Sequence, residues 1–104
     1  MNWKNIIKKS WSSYLECHPT PIAVNGIIDV DGNCGNAWLI IKNKKHPLVL
    51  EGLKKNYLII SDGEIHSNFL LKTQSYEKIY VFHLEMKKIL EKNGLKIEIV
   101  SFLD

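Results

Sequence analysis

No arginine occurs in this 104-residue chain, so all 14 of its basic side chains other than histidine are lysines. That absence weighs against planar, two-pronged recognition of guanine or phosphate, for which the guanidinium fork is the preferred group. Two cysteines, Cys17 and Cys34, are too few for a secreted disulfide framework. Small buried or half-buried thiols are expected instead. No apolar run approaches the roughly 18 residues that mark a bilayer-spanning helix. The opening MNWKNIIKKSWSS has lysines but no apolar h-region of a signal peptide. A cytoplasmic protein without a membrane partner is the expectation. Also missing are a glycine-rich phosphate loop, a GxSxG elbow, and any CxxC, HxxxH or HxH pair.

What is present is an ordinary globular composition, 45% hydrophobic and 24% charged. At this length, residues 1–104 are read as a single α+β domain with one core. Its organising stretch is Asn56 to Leu71, two apolar runs around Asp62-Gly63. A type I′ turn needs positive φ at both central residues, which Asp tolerates and Gly adopts freely. A two-residue turn sets Ser61 opposite Glu64, Ile60 opposite Ile65, Ile59 opposite His66 and Leu58 opposite Ser67. Leu58, Ile60 and Ile65 then share the core face.

Asn2 to Cys17 reads as an amphipathic helix, with Trp3, Ile7, Trp11, Tyr14 and Leu15 as its apolar stripe and Asn2 as N-cap. Both tryptophans are expected as core anchors. Pro19 and Pro21 end it. Ile22 to Val30 is β-like, with a bulge expected at Asn25-Gly26, followed by a turn over Asp29 to Asn36. Ala37 to Lys42 is a strand expected to pair with the preceding one. Asn43 to Pro47 is a basic loop, and Leu48 to Leu50 a short strand. Tyr76 to Lys92 has helical period, with Ser75 as N-cap and Asn93-Gly94 as the stop, although its β-rich start KIYVF competes for a strand. Leu95 to Phe102 closes the chain as a strand. These elements predict a mostly antiparallel sheet of about five strands in two layers, with an N-terminal helix and a second helix before the last strand.

Four constellations bear on chemistry. Asp29-Val30-Asp31-Gly32-Asn33 matches the first ligand positions of an EF-hand, but Cys34 and Ile40 stand where Gly and a bidentate Glu are needed, so a polar turn is expected. Asn33-Cys34-Gly35-Asn36-Ala37-Trp38 is similar to the papain-type signature, but alignment puts Ala37 at the nucleophile. Cys34 would need a base such as His66 or His83 to react by another route. Cys17, His18, Cys34, His46, His66 and His83 lack the close pairs that zinc sites draw on, and His83 falls on the apolar helical stripe as a core residue. The lysine pairs 8-9, 44-45, 54-55 and 87-88 lack interleaved aromatics and read as solvated faces. No enzyme, no metal and no cofactor is therefore expected.

Charge is unevenly placed. From Ser10 to Ile41 there is no lysine; Glu16, Asp29 and Asp31 make that window −3, leaving the rest of the chain at +6 against a total of +3. In size, composition and expected architecture the chain resembles the small immunity proteins of bacterial polymorphic and contact-dependent inhibition toxin systems. That resemblance implies a cytoplasmic monomer that binds a cognate toxin domain one to one and blocks it by occlusion. If the toxin is a nuclease, Glu16, Asp29 and Asp31, with Asn33, would meet its cationic cleft, and Trp38 would supply buried affinity. The alternative is a small basic nucleic-acid-binding module, which the sequence disfavours.

Overall fold

The computed structural model describes residues 2–24, 27–29, 32, 34–73 and 75–103. Helix α1 spans Trp3–Glu16. Its N-cap is Asn2, whose Oδ1 accepts the Asn5 N–H at 3.0 Å. The buried stripe is rotated from the expected one: Trp3, Ile6 and Ser10 are inside, Ile7 and Tyr14 half-buried, and Leu15 is 71% exposed. Ser10 is tolerated there because its Oγ donates to the Ile6 carbonyl at 2.8 Å. Trp3 is the anchor, its indole N–H donating to the Leu48 carbonyl at 2.7 Å. Trp11 is not a core residue; it sits at the margin, edge-on to Phe82 with ring centroids 5.0 Å apart.

Among the described residues, strands β1 (Ile22–Val24) and β2 (Ile27–Asp29) pair only with each other, Val24 opposite Ile27. The single strand expected over 22–30 is thus two. The bulge expected at Asn25-Gly26 lies outside the described residues. Strand β3, Gly35–Ile41, starts within the expected turn. It pairs with β5 and β6 rather than with the preceding strand.

Helix α2, Pro47–Lys54, replaces the short strand expected at 48–50. Pro47 occupies the first turn, where a missing N–H costs nothing. The Leu48 N–H donates to His46 Nδ1 at 3.1 Å, capping the turn. Leu48, Val49 and Gly52 form its inner face. A Cβ on Gly52 would meet Leu58 Cδ1 at 2.7 Å and Trp3 Cζ2 at 2.8 Å, so only glycine lets α1, α2 and the hairpin meet.

The hairpin is β4 (Leu58–Ser61) and β5 (Glu64–Ser67), in the expected register. Asp62 and Gly63 have φ of 50° and 77°, the positive pair a type I′ turn needs. Leu58 and Ile65 are buried as expected, but Ile60 is 68% exposed, because this edge strand runs past the helical cover. Helix α3 is Tyr76–Lys92 and β6 is Ile97–Leu103. The competing strand over KIYVF is not formed, since Ile79, Phe82, His83, Met86, Ile89 and Leu90 bury one continuous helical face.

The class is α+β: the described residues form three helices and a four-stranded antiparallel sheet, ordered β4-β5-β3-β6, beside the β1-β2 pair. The expected two helices and about five strands are corrected accordingly. α3 packs on β3 and β6, α1 packs on α3, and α2 closes the β4 end. All three helices share the core with Ala37, Leu39 and Ile41, one face of β3. Among the described residues, no helix covers the other face of the sheet.

Candidate functional site

Alternation along β3 is the origin of the site. Ala37, Leu39 and Ile41 point into the core, so Asn36, Trp38 and Ile40 point away from it. Antiparallel register carries that face across the sheet: Trp38 lies opposite Val100, Asn36 opposite Phe102, Ile40 between Glu98 and His66, and His66 opposite Ile59. Six of these are apolar or aromatic. Phe102 is 46% exposed and Ile59 39%, while Trp38, Ile40, Val100 and His66 are half-buried by one another.

Trp38 lies near the middle of this face, edge-on to Phe102 at 5.9 Å and beside the His66 ring at 6.4 Å between centroids. Its Nε1 is shut off from solvent and has no hydrogen-bond acceptor among the described residues. His66 Nε2 is also without a hydrogen bond; Glu64 Oε1 stands 3.5 Å from it. An unmet buried donor costs about 1–3 kcal/mol, so the Trp38 indole would gain from a partner that reorients it. Charged side chains rim the face: Lys42 reaches Glu98 at 3.6 Å at one end. At the other, a cleft of about 360 Å³ opens between Asn36, Phe102, Phe69 and Ile79.

The sequence-derived residues do not form one surface. Glu16 is exposed at the end of α1 and lines a groove with Cys17, Val81 and Leu84 on the helical side, away from Trp38. The backbone of Asp29 ends β2, paired with Ile22. Asp31 and Asn33 lie outside the described residues. Sequence reasoning missed Phe102, Val100 and His66 as neighbours of Trp38. The signal was available, because the alternation of Ile97 and Ile99 against Glu98 extends to Val100 and Phe102 on the outer face.

The thiols and imidazoles are dispersed. Burial, and then the negative charge of Glu77, push the Cys17 thiol up from its ordinary value; Lys78 opposes them weakly. That is the opposite of activation. Cys34 immediately precedes β3, in an isolated antiparallel bridge with Ser75 ahead of α3. His83 stands eight residues further on, about 12 Å along the helix at 1.5 Å per residue. It is buried, its Nδ1 2.9 Å from the Ile79 carbonyl, and burial pulls its pKa below the usual 6.5. Among the described residues no three His, Cys, Asp or Glu side chains converge as metal ligands. Nor is any described helix long and apolar enough to cross a membrane. Comparison with models of protein families, with curated proteins and with solved structures found no match.

Proposed function

We propose that this chain is an immunity-type protein that binds a toxin domain and blocks it by occlusion, docking through the open face of its four-stranded sheet. The observation that carries this reading is Trp38: a large aromatic at the centre of an apolar face that no described helix covers, its indole N–H without an acceptor among the described residues. Aromatic anchors of this kind, ringed by polar groups, dominate the energetics of protein interfaces. Overall size, composition and an α+β architecture support the choice of a toxin as partner. Trp38, rather than the acidic window, is the proposed anchor, because Glu16 faces the other way.

The test is protection. Cells producing a toxin domain encoded beside this chain should survive when the chain is co-expressed, and lose protection when it carries Trp38→Glu. A chain that neither protects nor co-purifies with such a domain would overturn the proposal.

A further inference from the structure

Three hydrogen bonds tie the loop after β3 to the loop after α3. The Lys42 N–H donates to the Lys96 carbonyl at 2.9 Å, the Lys96 N–H donates to Asn43 Oδ1 at 2.6 Å, and His46 Nε2 lies 3.1 Å from the Asn93 carbonyl. The His46 contact fixes its own direction. Nδ1 accepts from Leu48 N–H, so the ring proton sits on Nε2 and is donated to Asn93. These bonds draw Lys42, Lys44, Lys45, Lys92 and Lys96 to one end of the molecule from stretches 50 residues apart in sequence. Lys42 is paired with Glu98, and the nearby Glu91 with Lys87. Lys44, Lys45, Lys92 and Lys96 are exposed and make no ion pair with a described residue.

We infer that this basic end binds the phosphate backbone of a duplex nucleic acid without reading its sequence. It is a second surface, at the loop end rather than at Trp38. Two features favour nucleic acid over an acidic protein. Protein interfaces are depleted in lysine and need an apolar or aromatic anchor. The loops 42–46 and 93–96 carry no exposed large hydrophobic; those lie elsewhere, at Trp11, Leu15, Leu50, Leu70 and Phe102 among others. Nucleic-acid interfaces are by contrast polar and strongly positive. Asn43 and Asn93 stand beside the lysines, a mixture suited to phosphate oxygens. The lack of arginine weighs against two-pronged base recognition, and lysine remains an adequate point-charge partner for phosphate.

The experiment is fluorescence anisotropy of a labelled 20-base-pair DNA duplex with the full chain. Binding is expected at 50 mM NaCl. Four to five phosphate contacts give a log–log salt slope near −4, hence roughly a 200-fold loss by 200 mM. Lys44→Glu with Lys45→Glu should weaken binding by about tenfold or more at 50 mM. Lys72→Glu with Lys78→Glu makes the same charge change, with Lys78 about 21 Å along α3 from Lys92 at 1.5 Å per residue; it should leave binding within about twofold, since those phosphate contacts are untouched. No binding at 50 mM overturns the inference. So does an equal loss in both double variants, which would mark a diffuse charge effect. So does competition by a 20-residue glutamate peptide as strong as that by unlabelled duplex, which would make an acidic polypeptide the occupant. None of these outcomes bears on Trp38.

Discussion

His83 and Gly52 show how single residues fix the interior. His83 is buried and neutral, held by the Ile79 carbonyl. Its folded pKa lies below the unfolded value, so the unfolded chain takes up the proton first as pH falls. Its contribution is therefore complete above about pH 6.5 and declines below it. Urea midpoints measured from pH 7.5 to 5 should fall more steeply for the native chain than for His83→Gln; parallel curves would contradict the assignment. Gly52 is fixed by space, not by backbone angle. Gly52→Ala forces a methyl against Leu58 and Trp3, and overpacking of this type costs about 1–3 kcal/mol. Chemical denaturation should register that loss, and an unchanged midpoint would show that the three elements can move apart freely. The burial of His83 was visible in the sequence, from its place on the apolar stripe of α3; the constraint on Gly52 was not, because there it is one glycine in a lysine-flanked run.

At the scale of elements, legibility follows locality. The hairpin was readable because Asp62-Gly63 sets its own geometry and register. α3 was readable because seventeen residues of 3.6 period outweigh a β-rich start. α2 was not, because eight residues are too few to be helical by propensity alone. Its stability comes from the His46 cap and from packing against Trp3, whose partner carbonyl lies 45 residues away. His46→Ala should therefore cost about 1 kcal/mol, as loss of a cap does. It should also speed hydrogen exchange at the Leu48 amide, and His46→Asn should restore part of both. Exchange at Leu48 unchanged in His46→Ala would show that the cap is dispensable. β1 and β2 were misread for a different reason. Asn-Gly is as strong a two-residue turn signal as Asp-Gly, and it sits between Val24 and Ile27, which pair. Reading 22–30 as one β-like stretch joined two strands into one.

The whole molecule has a covered side and an uncovered one. Three helices bury one face of the sheet and leave the other to Trp38 and its neighbours. Trp38 was legible as an alternating residue of one strand. The face around it was not, because His66 and Phe102 reach it from strands 28 and 64 residues away. The same long-range assembly separates Glu16 from Trp38 and gathers the lysines of two loops. Charge counted along the chain therefore gave a different surface from charge counted in space. The measurement that bears most directly on the open face is calorimetric titration of the chain with the toxin domain proposed as its partner, comparing native protein with Trp38→Glu. Loss of a central aromatic anchor worth 2 kcal/mol or more weakens binding by about 30-fold, and the thermal midpoint should move little because Trp38 lies outside the core. Binding of equal strength in both proteins would contradict the account.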